Sequence, residues 1–215
     1  RQMCIRDRPE TAHNVTIQLT KYGSPLLSKG FQDQSLNINV KGLSFSNPLG
    51  IAAGFDKNAE LIDPLLKIGF GFVECGTVTP KPQYGNAKPR IFRFVKDKTL
   101  VNSLGFNNAG SVQVLKNIKK YKPVFDGILG ISIGKSKNTK TKNAWQDYIH
   151  LMDYFYLEAD YLAINISSPN TENLRELSAR ENIEFLMNKI SKKKAQLVDM
   201  HKKKTPIFVK LSPDE

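Results

Sequence analysis

Tyr161-Leu162-Ala163-Ile164-Asn165-Ile166-Ser167-Ser168-Pro169-Asn170-Thr171 turns from apolar to polar within a few residues. Its leading part is apolar and partly β-branched, and reads as a buried strand. Pro169 cannot continue a ladder, so the chain leaves the sheet there. Polar residues therefore gather where a strand ends and a loop begins, the edge where parallel α/β architectures hold ligands and do chemistry. Two amides and three hydroxyls between Asn165 and Thr171 can hold a planar, hydrogen-bond-rich substrate, with Ser168 as a candidate proton acceptor.

Outward from this strand the chain repeats strand, loop and helix. Leu49 to Ala53 is apolar and ends at Gly54-Phe55-Asp56-Lys57; Ala59 to Ile68 is helix-like, with Pro64 confined to its first turn or breaking it. Phe72 to Cys75 reads as a strand ending at Gly76-Thr77. A loop rich in Pro, Gly and Asn (Pro80 to Pro89) follows, then extended pieces at Ile91 to Phe94 and Leu100-Val101. Ser111 to Lys120 is helical, and Gly127 to Ile133 is a strand ending at Gly134-Lys135. Trp145, Tyr148, Ile149, Met152 and Phe155 recur at helical spacing, a core stripe rather than a cofactor box. Ile183 to Met200 is a helix, and Pro206 to Leu211 a fifth strand with Lys210 near its end. Upstream, Pro9 to Leu26-Leu27 is helical through Ala12, Val15 and Leu19, and Ser35 to Phe45 alternates around Lys41-Gly42 as a hairpin. Strands alternating with helices in this way specify an α/β barrel or a doubly wound sheet.

Composition bounds the function. A 40% hydrophobic, 24% charged chain of 215 residues can bury a core of domain size. Its formal charge of +12 invites a nucleic acid or an anionic membrane as partner. The cations concentrate in Lys116 to Lys142 and Lys189 to Lys204, where they read as solvated helix faces. No aromatic residues interleave with them as a single-strand binding platform requires, so nucleic acid is not expected. Cys4 and Cys75 form no disulfide framework or metal-ligand spacing, and no metal is expected. No signal peptide is visible, and no apolar run approaches the roughly 18 residues of a spanning helix.

Single motifs are weak and their coincidence is not. Lys57 alone reads more readily as a solvated loop lysine, and Gly76-Thr77 as a common turn. Asn102-Ser103-Leu104-Gly105-Phe106-Asn107-Asn108 carries three amides around one glycine and one aromatic, which either close local turns or bind something specific. Lys57, Thr77, Asn102, Ser132, Asn165, Ser168, Asn170 and Lys210 all fall at or just beyond strand C-termini or in the intervening loop. In a barrel those ends share one face.

With these residues in place, the chain resembles the quinone-dependent, membrane-associated class of dihydroorotate dehydrogenases. The resemblance runs from Pro9-Glu10-Thr11-Ala12-His13 to the last residue. It takes in Asn47-Pro48-Leu49-Gly50, Ala52 to Lys57, Gly76 to Pro80, Lys88-Pro89-Arg90, Asn102 to Asn108, Gly134-Lys135, Asn165 to Thr171 and Val209-Lys210. It implies an FMN-containing (β/α)8 TIM barrel that oxidises dihydroorotate to orotate and passes electrons to a membrane quinone. The enzyme would sit peripherally on the cytoplasmic side of the cell membrane. Ala53, Gly54, Phe55, Asp56, Lys57, Thr77, Asn165 and Lys210 would contact FMN. Lys57, Asn102, Ser103, Leu104, Gly105, Phe106, Asn165 and Asn170 would hold the substrate. Ser168 would be the base, with Thr171 and Phe106 along its proton path; the family's cytosolic classes place cysteine at that position.

Ser132 stands where the resemblance leads us to expect an asparagine against the flavin, so that contact is expected to be shorter or bridged by water. Residues 1–8 are expected to be a non-native leader, 9–34 a partial helical segment at the membrane and quinone, and 35–215 the barrel domain. About five of the eight βα units are expected, and a chain ending at Glu215 is expected neither to hold FMN tightly nor to turn over. Two other readings are a tRNA-dihydrouridine synthase-like flavin barrel, which would use a cysteine acid, and a non-catalytic barrel fragment.

Overall fold

The computed structural model describes residues 8–26, 28, 30–121, 127–171 and 173–212. Most of the expected leader, Leu27 at the end of the first expected helix, and residues 213–215 lie outside that range. Five strands form one all-parallel sheet: β3 (Gly50–Ile51), β4 (Phe72–Val78), β7 (Ile128–Ile133), β8 (Tyr161–Asn165) and β9 (Ile207–Lys210). They lie side by side in the order β3-β4-β7-β8-β9. Each crossover adds its strand on the same side, so the sheet is an arc of a (β/α)8 barrel; a doubly wound sheet would reverse its order.

The crossovers carry α2 (Ile62–Lys67), α3 (Gly110–Tyr121), α4 (Ala144–Phe155) and α5 (Arg180–His201). All residues of β8 are buried, as a strand covered on both faces requires. Tyr148, Leu151, Met152 and Phe155 of α4 pack with Ile118 of α3 and Leu186 of α5 against Leu129, Ile131 and Ile164. Each such side chain contributes roughly 1.5–3 kcal/mol by leaving water. Of the expected α4 stripe, Tyr148, Met152 and Phe155 are fully buried, while Trp145 and Ile149 are half-buried. Trp145 instead carries the Lys189 ammonium 4.8 Å from its ring centre.

The hairpin is formed by β1 (Ile38–Val40) and β2 (Leu43–Phe45), paired Val40 to Leu43 across Lys41-Gly42. Both turn residues have positive φ (51° and 81°), the conformation that suits a two-residue hairpin. The Asp33 side chain accepts the Ser35 N–H, a short 3-10 turn fills Gln34–Leu36, and the strand starts only at Ile38. Phe45 meets Phe72 edge-on at 5.4 Å, docking the hairpin at the N-terminal end of the sheet.

Two expected elements change their bounds. The helix-like Ala59 to Ile68 yields α2 alone, because the Asp56 carboxylate takes the N–H groups of Glu60 and Leu61 and holds a turn there. Pro64 duly lies in the first turn of α2, where a missing N–H costs nothing. β4 does not stop at Cys75 but resumes pairing at Val78 with Ile133 after a register shift. Gly76 permits this: a Cβ there would stand 2.5 Å from the Ser132 carbonyl oxygen.

Besides the β1–β2 hairpin, two further elements lie outside the arc. α1 (Pro9–Gly23) is followed by the 3-10 turn Ser24–Leu26, and the β5 (Ile91–Phe94) and β6 (Thr99–Asn102) hairpin rises from the β4–α3 connection. The apolar stripe of α1 faces outward, with Val15 51% and Leu19 70% exposed. Ile17 is its buried residue, packed with Leu61, Leu65 and Val73.

Candidate active site

Asn165 ends β8 with its side chain almost fully buried. Its Nδ2 donates to Thr77 Oγ1 at 2.7 Å, and its Oδ1 accepts the Ser167 N–H (3.1 Å) and hydroxyl (2.9 Å). Thr77 Oγ1 also lies 2.9 Å from Ser132 Oγ, so β4, β7 and β8 are joined by one polar chain. The Tyr148 hydroxyl donates to the Asn165 carbonyl at 3.0 Å, and burial pushes that phenol's pKa up. The carboxamide orientation of Asn165 is thus fixed before any ligand arrives.

Beyond it the loop turns back on itself. Ser168 Oγ accepts the Asn170 N–H at 3.2 Å, and Asn170 Nδ2 donates to the Asn102 carbonyl (3.2 Å) and side chain (3.3 Å). Thr171 is buried, and its Oγ1 has no hydrogen-bond partner among the described residues. Lys210 pairs in register with Asn165 at the end of β9.

These groups surround a cavity of about 280 Å³. Of the residues expected at a cofactor, Ala53, Gly54, Lys57, Thr77, Asn165 and Lys210 line it. Of those expected at the substrate, Asn102, Leu104, Gly105, Phe106 and Asn170 line it, as does Ser168. Ser132 lies behind Thr77, and Ser103 is turned to its own backbone bond, its N–H donating to the Arg90 carbonyl. Lys57 Nζ donates to the Gly54 carbonyl at 2.6 Å, and burial lowers the pKa of this ammonium. The Asp56 carboxylate is engaged with backbone, and burial raises its pKa. Cys75 is fully buried within the core, its thiol pKa raised by burial.

A second cavity of about 400 Å³ lies between α1 and the loops that follow β3 and β6, with Phe55 and Asp56 in its wall. Glu10, His13, Asn14, Ile17 and Gln18 of α1 line it at the i, i+3, i+4, i+7, i+8 spacing of one helix face. Lys57, Leu104 and Asn107 line both cavities. Arg90, nearly fully buried, closes one side by pairing with Glu10 and donating to the Asn86 carbonyl at 3.0 Å. Reading α1 by its apolar stripe passed over this polar face; the helical spacing of Glu10, His13 and Ile17 was its available signal.

Two ammonium groups, four carboxamides and three hydroxyls around one cavity suit a planar anion with several N–H and C=O groups, and allow a proton to be removed from it. The family model for dihydroorotate dehydrogenase matches residues 35–215. A dihydroorotate dehydrogenase (quinone) of Chelativorans sp. is 47% identical over 206 residues, covering 96% of this chain and 56% of that protein. Its counterpart in Yersinia enterocolitica is 48% identical over 209 residues, covering 96% of this chain and 62% of that one. The crystal structure of Eimeria tenella DHODH in complex with ferulenol is similar with a TM-score of 0.88 at 37% identity, covering 99% of this chain and 62% of that one. The chain thus spans 56% and 62% of the lengths of these curated relatives. With family model, relatives and fold in agreement, the chain belongs to the dihydroorotate dehydrogenase family.

Proposed function

We propose that the whole protein oxidises (S)-dihydroorotate to orotate in de novo pyrimidine (UMP) biosynthesis, with FMN as hydride acceptor and a membrane quinone as final acceptor. The observation that carries this reading is the meeting of Lys57, Asn102, Asn165, Ser168, Asn170 and Lys210 around one cavity. The residues fit a flavin. A Cβ built at Gly54 would meet no atom within 4 Å, so the cavity reaches bare backbone where a flat ring can lie. Thr77, Asn165, Lys57 and Lys210 supply polar edge groups around it. Phe55 and Asp56 would contribute through their main chain, since both line the other cavity, and Ser132 through Thr77.

FMN, when bound, supplies the acceptor for the hydride leaving carbon 6 of the substrate ring. Ser168 Oγ takes the proton from carbon 5. A serine hydroxyl is a poor base at neutral pH, so it must pass on its own proton as it takes the one from carbon 5, and the Asn170 N–H donated to it stabilises the alkoxide character this requires. The Thr171 hydroxyl, unpartnered among the described residues, offers the next stop for the proton, with Phe106 screening the path from bulk water. Lys57 and Lys210 offset negative charge in the cavity by preorganised electrostatics. Asn102 and Asn170 hold the ring in plane.

The α1 cavity is the proposed approach for the quinone, because it shares Lys57, Leu104 and Asn107 with the first. Outward-facing Leu19, Tyr22, Leu26 and Phe31 (70–91% exposed) suit peripheral contact with the cytoplasmic face of a membrane. No helix among the described residues is long and apolar enough to cross one. The test is anaerobic mixing of the full-length flavoprotein with dihydroorotate, then with a short-chain quinone. Wild type should bleach and then recover its colour. Ser168→Ala should keep its flavin but bleach roughly 10²–10⁴-fold more slowly. A wild-type flavin that dihydroorotate leaves oxidised would refute the function, and near-normal bleaching in Ser168→Ala the base.

A further inference from the structure

Asn86 lines neither cavity, yet its side chain ties together loops that build the first. Its Nδ2 donates to the Ser103 carbonyl at 3.0 Å and to the Asn170 carbonyl at 3.1 Å. Its Oδ1 accepts the Lys137 ammonium at 3.2 Å, and its backbone N–H donates to the Leu104 carbonyl at 3.0 Å. The carboxamide has one consistent orientation, because a flip would set its oxygen against two carbonyl oxygens and its NH₂ against an ammonium. Gly105 leaves room for it: φ there is +70°, and a Cβ would stand 2.9 Å from the Asn86 carboxamide. Arg90 in turn donates to the Asn86 carbonyl while pairing with Glu10 of α1.

We propose that Asn86 is a positioning residue: a clasp that holds the loop bearing Asn102 against the loop bearing Ser168 and Asn170, and so closes the substrate mouth. The proposal rests on the function given above for what enters that mouth. The clasp itself rests only on the bonds. Both donors of one amide span segments from different parts of the barrel, whereas a residue serving only its own turn would bond locally. Loss of the two bonds frees the loops to separate in the unliganded protein, so ligand must draw them together and binds more weakly, while in the ligand-bound state the reacting groups meet as before.

The experiment uses the full-length flavoprotein with Asn86→Asp and Asn86→Ala. The aspartate keeps size and its attraction to Lys137 but cannot donate, and sets negative charge against two carbonyl oxygens. Both variants should weaken orotate binding, read from the flavin spectrum, by about tenfold or more, or about 1.4 kcal/mol. Flavin content and the saturating rate of bleaching by dihydroorotate should stay within about threefold, well under that tenfold change in affinity. Amide hydrogen exchange over 102–105 and 168–171 should rise in Asn86→Asp relative to wild type. That readout does not depend on the substrate, so a wild type inert to dihydroorotate with faster exchange in the variant overturns the function and supports the clasp. Unchanged exchange, orotate affinity within about twofold of wild type (a small fraction of one decade), or a loss of affinity that only tracks loss of flavin overturns the clasp.

Discussion

Thr77 and Asn165, on non-adjacent strands of the sheet, share a 2.7 Å hydrogen bond in which the amide of Asn165 donates to the hydroxyl of Thr77. That bond decides which way the Asn165 carboxamide faces. Thr77→Val keeps the shape and removes the acceptor. A buried donor left without a partner costs about 1–3 kcal/mol, so thermal unfolding should move down accordingly. If the cavity holds FMN as proposed, FMN affinity of the full-length protein, measured by flavin fluorescence, should fall by about tenfold in parallel.

Lys57 should set an alkaline limit on ligand binding. Burial lowers its pKa, so the ammonium gives up its proton at a lower pH than an unperturbed lysine, which titrates near about 10.4. Binding of an anion that needs the ammonium must therefore weaken below the ordinary lysine range as pH rises. Orotate titrations at stepped pH would show the limb. Lys57→Met should remove it and weaken binding by roughly 10–100-fold, the worth of a charge-assisted hydrogen bond.

Glu10 ties α1 to the barrel through Arg90, with Lys21–Glu60 at 2.7 Å as a second tie. Hydrogen bonding to the Arg90 guanidinium holds the Glu10 carboxyl below its usual pKa. The folded value is depressed, so this contribution is full above the unfolded carboxyl value of about 4.3 and is lost as pH falls through the folded one. Glu10→Gln should destabilise the docked helix by on the order of 1–3 kcal/mol and flatten that acid dependence. Limited proteolysis of α1 across the acid range would read it.

The outward face of α1 should carry membrane contact. Leu19→Asp with Tyr22→Asp, both at largely exposed positions, should leave folding intact. Sedimentation with anionic vesicles should drop by about tenfold or more, since each buried apolar side chain is worth roughly 1.5–3 kcal/mol. Bleaching by dihydroorotate should be unchanged; equal vesicle binding would place the contact elsewhere.

The parallel strands and the hairpin turn were legible because local pattern specifies them: an apolar run ending at Asn165, and Lys41-Gly42 where two positive φ values are needed. Barrel against doubly wound sheet was legible only through the family resemblance, since neighbour order is a property of the whole sheet and not of local pattern. Lys57, Thr77, Asn102, Asn165, Ser168, Asn170 and Lys210 were found because they fall at or just beyond strand ends, whereas Asn107 and Ser167, which also line the first cavity, were not singled out. The side chain of Asp56 sits in the same motif but serves the turn before α2, and sequence spacing does not separate those roles. Arg90 and Glu10 meet across 80 residues, and Asn86 reaches Asn170 across 84, contacts that no local periodicity records.

Lys57, Leu104 and Asn107 are the partition between two chambers, so on the function proposed above electron donor and acceptor need never share a compartment. Under the proposed function, steady-state turnover should then give parallel double-reciprocal lines, the signature of substituted-enzyme (ping-pong) kinetics. Orotate should compete with dihydroorotate but not with the quinone. Enlarging Leu104 would tax both half-reactions at once, whereas a bulky substitution on α1 would slow only the second.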